Sequence, residues 1–189
     1  ERDLSDAARK QLPWAIKGAI DATLAAVKRN AEKRMDKQID RPTPFTKKAF
    51  RQIKARKSDL TGAVFAQRVQ ASYLRWIEDG GNRTPDGKAI VVPVGQRLNK
   101  YGNMAKGALG RALASPKVFS GRPGKGGAGG IYRRTGGKRN PGLKLLAYYT
   151  PRATYRRSLG FLDGAAKTAR ALLPKELERA FREAWASRK

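Results

Sequence analysis

Six cations in two glycine-rich stretches, Arg122, Lys125, Arg133, Arg134, Lys138 and Arg139, are the residues of this chain best placed to do chemistry. The chemistry is contact with anions, because no carboxylate lies between Asp86 and Asp163 to neutralise them. The same interval also holds Lys88, Arg97, Lys100, Lys106, Arg111, Lys117, Lys144, Arg152, Arg156 and Arg157. A stretch so one-sided repels itself unless an anion lies nearby or the charges fan out into solvent. Arg and Lys at phosphates supply affinity without reading sequence. An acidic protein surface would satisfy the same groups, and the residue types leave both partners open. Tyr132, Tyr148, Tyr149 and Tyr155 have faces on which single-stranded bases stack. Their alternation within strand-like segments favours core or interface positions instead.

Other chemistries are poorly supplied. The segment GRPGKGGAGG invites comparison with a phosphate-binding loop, which needs glycine, four residues, then Gly-Lys-Ser/Thr. Here Phe119 holds the leading glycine position and Gly126 follows Gly124-Lys125. The chain has no histidine and no cysteine, which removes the commonest general base, the commonest metal ligand and every thiolate site. Asp79 and Asp86 read as exposed turn residues rather than a carboxylate pair. No catalytic residue, metal or cofactor is expected, and no enzymatic activity.

Composition points the same way. The 189 residues carry 42 Lys plus Arg against 15 Asp plus Glu, a net charge of +27 and a pI near 11.1. Such an excess implies a polyanionic partner, most simply nucleic acid. The length fits a single α+β domain, 1–189, with an N-terminal helical arm over about 1–40 and flexible basic loops at 121–130 and 136–142. No apolar run approaches the ~20 residues needed to span a bilayer, so no membrane partner is expected. ERDLSDAARK lacks a signal-peptide core, and the expectation is a protein soluble and intracellular at synthesis.

The elements that must position these cations follow from periodicity. Residues 4–35 read as helix, with Ser5 as N-cap and Leu12, Ile16, Ile20, Leu24, Val27 and Ala31 on one side. Pro13 should divide it, and Arg41-Pro42-Thr43-Pro44 should end it. Phe45–Ala55 and Thr61–Gln67 read as a hairpin turning at Lys57-Ser58-Asp59. A short helix around Tyr73–Ile77 ends at Gly80-Gly81, and Pro93 marks Ala89–Val94 as an edge strand. Asn103 can cap a short central helix to Leu113. Val118-Phe119, Ile131-Tyr132 and Leu143–Tyr149 complete a mixed, mainly antiparallel sheet. Leu173, Leu177, Ala180, Phe181, Ala184 and Trp185 form the stripe of C-terminal amphipathic helices, with Pro174 in a first turn. The class is α+β.

Several patches together resemble the minor tail protein Z family of tailed bacteriophages. They are RPTPFTKKAF after an N-terminal helix, the hairpin that follows, Tyr73-Leu74 before Glu78-Asp79-Gly80-Gly81, and Asn99-Lys100-Tyr101-Gly102-Asn103-Met104. Tyr155 and Phe161 ahead of the last helix are consistent with it, and the likeness covers about Leu12 to Trp185. The resemblance implies a structural virion protein of the head–tail junction, assembled in the host cytoplasm and acting in tail completion or the allied tail terminator role. Its implied partners are copies of itself in a ring of six, a tail terminator or tail tube protein and the head–tail connector. The strong positive charge, read on its own, adds packaged double-stranded DNA in the channel of such a ring. It brings no catalytic residues. A free, non-specific nucleic-acid-binding protein is the competing expectation from charge alone.

Overall fold

The computed structural model describes the backbone of residues 2–186 and the side chains of residues 11–186. The class is α+β. The length suggests a single domain, but the chain forms two compact units. One takes the chain up to Glu78 and resumes at Arg157; the other is Asp79–Arg156.

The first unit is built on two long helices, α1 (Arg2–Gln38) and α5 (Phe161–Ala186). The helix α1 begins upstream of Ser5 and runs unbroken through Pro13, against the expected division. Ala15 and Ala19 of α1 pack against Ala180, Leu177 and Ala184 of α5, so α1 is one wall of a packed unit rather than an arm. The buried stripe of α1 is Ala15, Ala19, Thr23, Val27, Ala31 and Met35. It consists mostly of small residues, which let a second helix approach closely. Leu12, expected on the buried side, is 48% exposed. Tertiary packing of this kind, more than intrinsic propensity, sustains a helix that contains a proline.

After α1 the chain turns through Arg41, whose φ of 48° is left-handed. The hydrogen bond from Arg41 holds the neighbouring Asp40 carboxyl below the usual carboxylate range. The RPTPFT patch forms a helical turn, α2 (Pro44–Lys47), where a strand was expected from Phe45. Thr43 is its N-cap, accepting from Thr46 N at 3.1 Å, and Pro44 occupies the position whose amide would be unpaired in any case. The hairpin of β1 (Phe50–Ile53) and β2 (Ala63–Ala66) then pairs antiparallel. The α1 residue Asp21 fastens it, accepting from Ala55 N at 2.9 Å and from Lys17 Nζ at 2.7 Å. Helix α3 (Arg68–Asp79) follows. Phe50, Met35, Ala31, Ala49, Leu74 and Leu159 form the core, with the Phe50 and Phe161 rings stacked 4.6 Å apart.

Helix α5 starts at Phe161, well before the expected start near Leu173, so Pro174 sits mid-helix rather than in a first turn. A single continuous helix replaces the expected C-terminal helices. The start is fixed by Glu78 at the end of α3. Its carboxylate accepts from Phe161 N at 2.7 Å and Leu162 N at 3.1 Å, satisfying two of the amides a helix N-terminus leaves unpaired.

The second unit holds two antiparallel sheets. A two-stranded one pairs β3 (Gly81–Arg83) with β8 (Ala153–Tyr155). A four-stranded one has the order β4-β7-β6-β5, from β4 (Ile90–Pro93), β5 (Val118–Gly121), β6 (Gly130–Thr135) and β7 (Gly142–Thr150). Pro93 does lie in an edge strand. The expected mixture of pairings is absent: every ladder among the described residues is antiparallel. Helix α4 (Ala108–Leu113) packs Leu109 and Ala112 on Val118, Ile131, Leu146 and Ala147. Its N-cap is Gly107, not Asn103. Asn103 belongs to a turn centred on Asn99, whose Oδ1 accepts from Tyr101 N at 2.9 Å and Asn103 N at 3.0 Å.

Candidate polyanion-binding surface

The six cations singled out by sequence do not form one patch. Arg122 and Lys125 lie in the loop joining β5 to β6, and Lys138 and Arg139 in the loop joining β6 to β7. Successive hairpin loops fall at opposite ends of a sheet. The six residues of β6 at about 3.3 Å per residue put those ends roughly 17 Å apart. Arg133 and Arg134 sit on β6 towards the Lys138–Arg139 end, and as neighbours on a strand they point to opposite faces.

The two β6 arginines therefore differ in role. The Arg134 guanidinium lies 4.4 Å from the Phe119 ring centroid, and its Nη1 donates to Pro116 O at 3.3 Å. It is already engaged in holding β5 against β6. Arg133 is exposed and directly opposite Lys144 across the β6–β7 ladder. Like charges at a directly opposed pair destabilise a sheet, and no carboxylate of this unit sits there to relieve them. Arg133, Lys144, Lys138 and Arg139 thus all lie towards the turn end of the β6–β7 hairpin. The concavity of about 670 Å³ at that end is lined by none of them, but by Arg134, Thr135, Gly136, Gly137, Pro141, Gly142 and Leu143.

Lys144 is the functional candidate that sequence reading missed. A β-bulge between Ile131 and Tyr132 slips the ladder by one residue. Without it, Lys144 would face Arg134 instead. Bulges leave little trace in hydrophobic alternation, although the neighbouring Gly129-Gly130 is the kind of signal that accompanies one.

The glycine-rich loop is narrower than expected, since Gly121 and Gly130 are ladder residues. What lies between them is tied by Tyr132 Oη donating to Ala128 O at 2.6 Å and Tyr149 N donating to Gly129 O at 2.8 Å. It joins two antiparallel strands, whereas a phosphate-binding loop leads from a strand into a helix. Lys125 is exposed on this loop and Gly124 is left-handed at φ 67°. The tyrosines follow the core or interface reading in part. Tyr132 is buried, Tyr149 shares a 2.6 Å hydrogen bond with Ser120 Oγ, and Tyr148 is exposed at the sheet surface.

Ion pairing separates the two units. Every ion pair among the described residues lies in the helical unit, such as Lys17–Asp21, Lys28–Glu32 and Lys47–Asp36. The sheet unit has Asp79 and Asp86 as its carboxylates, both exposed and neither in an ion pair. Asp79 ends α3 and Asp86 sits in a bend after β3, so they form no common site. Among the described residues no group of three or more acidic side chains comes together to hold a metal ion. No helix there is long and apolar enough to cross a membrane. No family model, curated protein or solved structure matches the chain.

Proposed function

We propose that this chain is a structural protein of a tailed-phage particle. In this reading it is a tail completion subunit, forming a ring of six at the head-proximal end of the tail. It meets the head–tail connector on one side and a tail terminator or tail tube protein on the other. The cations of its sheet unit face packaged double-stranded DNA or an acidic neighbouring ring. The observation that carries this reading is the uncompensated charge of the sheet unit, down to the opposed pair Arg133 and Lys144. A protein keeps such a pair at a cost in stability when a partner supplies the missing anion. The helical unit also offers surface suited to subunit contact. Ile53 and Phe65 are 57% and 41% exposed on the outer face of the hairpin, and that two-stranded sheet has both outer edges unpaired. Exposed apolar residues beside open strand edges mark assembly surfaces.

Immunogold labelling of purified particles from a culture producing the protein tests the proposal. Gold confined to the head–tail junction supports it. The same charge favours a second reading, a free non-specific nucleic-acid-binding protein. That reading gains if particles carry no gold while the protein fractionates with cellular nucleic acid. It also requires the log affinity for duplex DNA to fall with log salt at roughly 0.9 per phosphate contacted.

A further inference from the structure

We infer that a cleft between α1 and α5 in the helical unit is a binding site for a phosphate group. It is lined by Asn30, Lys33, Arg34, Lys37, Lys167 and Thr168 and encloses about 320 Å³. The inference does not rest on a place in a phage neck, since it concerns other residues in the other unit.

Helical spacing builds the cleft. Asn30, Lys33, Arg34 and Lys37 recur at i, i+3, i+4 and i+7, so they share one face of α1. Gly164, Lys167 and Thr168 do the same on α5. Asn30 Nδ2 donates to Thr168 Oγ1 at 3.0 Å, and that hydroxyl donates to Gly164 O at 2.8 Å, tying the two walls together.

Arg34 is the centre of the site. It is half-buried, and its Nε donates to Leu159 O at 3.0 Å, which fixes the plane of the guanidinium. Two glycines make room for it. A Cβ at Gly160 would lie 2.4 Å from Arg34 Nη2, and one at Gly164 would lie 3.1 Å from Arg34 Cδ. Gly160 is also left-handed, at φ 58°. The guanidinium is thus held in place, yet among the described residues it forms no ion pair with a carboxylate. The acids nearest in sequence are engaged elsewhere: Glu32 with Lys28, Asp36 with Lys47 at 2.9 Å, and Asp163 with Arg157 at 2.7 Å.

A partly desolvated, immobilised guanidinium without a counter-ion is costly unless an anion completes it. With Lys33, Lys37 and Lys167 exposed around it and in no ion pair among the described residues, the cleft presents donors from both walls. That arrangement suits a tetrahedral phosphate, which offers several acceptor oxygens and up to two charges, better than a single carboxylate. A phosphate group can arrive on a small oligophosphate or in a nucleic-acid backbone.

The test uses the full chain, with calorimetric titration of inorganic pyrophosphate and fluorescence anisotropy of a short duplex DNA. The variant is Lys33→Gln/Lys37→Gln/Lys167→Gln, which spares Arg34 and its packing. A control of equal charge, Lys54→Gln/Lys57→Gln/Lys175→Gln, removes exposed lysines of the same unit. Loss of charge-assisted contacts should weaken binding by about tenfold or more in the cleft variant. The control should change it far less. Weakened pyrophosphate binding identifies free phosphates as the source; weakened duplex binding with pyrophosphate silent identifies a nucleic-acid backbone. Equal losses in the two triples, or no binding that depends on the cleft lysines, overturn the site.

Discussion

Replacing Arg133 by Glu should make the protein more stable and a poorer ligand for polyanions at the same time. Arg133 and Lys144 are directly opposed on β6 and β7. Cross-strand pairs of this kind are worth roughly 0.2–1 kcal/mol in either direction, according to sign. Turning a repulsive pair into an attractive one spans both, but the two side chains are exposed and water screens them. A net gain of about 0.5 kcal/mol is the reasonable figure after that discount. For a chain of this size that corresponds to a Tm higher by about 1–2 °C. Binding moves the other way. If Arg133 contacts a phosphate, removing it should make the log-affinity against log-salt plot shallower by about 0.9. Differential scanning calorimetry and anisotropy with a duplex DNA at several salt concentrations read the two effects separately. Lys57→Glu, in the turn between β1 and β2, serves as the charge control. A lower Tm for R133E would mean that the opposed pair is not a source of strain. An unchanged salt slope would remove Arg133 from the binding surface.

Substitutions at two further positions, one in each unit, test other contacts. Arg134→Ala should lower stability by about 0.5–1 kcal/mol through loss of its stacking on Phe119, measurable by denaturant titration. Its salt slope for duplex DNA should stay at the wild-type value, because that guanidinium already serves the fold. Glu78→Ala strips the cap from α5 and leaves the Phe161 and Leu162 amides without acceptors, which should cost about 2 kcal/mol. Glu78→Gln keeps one acceptor and should fall between the two, with urea midpoints giving the order.

The sequence made some of this architecture legible and concealed the rest for identifiable reasons. The β1–β2 hairpin was readable because Phe50, Val64 and the Lys57-Ser58-Asp59 turn are local signals, and Pro93 marked an edge strand through its missing amide. The helix boundaries were not. The cap of α5 comes from Glu78, more than eighty residues earlier in the chain, and no window of sequence contains both partners. The face of α1 was misjudged because a periodicity count weighs Leu12 and Ile16 above Ala15 and Ala19. Close helix packing reverses that weighting. For the candidate surface, sequence supplied the cations and the absence of acids. It could not show that Arg122 and Lys125 lie at the opposite end of the sheet from Lys138 and Arg139. Nor could it place Lys144, whose register depends on one bulge.

The contrast between the units bears on why the sheet cations are retained. In the helical unit, Lys17, Lys28, Arg179 and Arg182 each have an acid one turn away, as helix geometry readily arranges. Those charges are balanced within the fold and need no outside partner. The sheet unit has had no such option. From Lys88 to Arg156 it contains no acid at all, so no rotamer and no register of its strands could neutralise Arg133, Lys138 or Lys144. A surface selected only for solubility would mix signs, since interspersed acids relieve repulsion. The omission is therefore better explained by a partner than by solvent. The consequence is that the free sheet unit should be the more salt-sensitive part of the molecule and should gain stability from whatever polyanion it meets. With such a partner, that coupling would favour ordering of the surface at contact rather than before it.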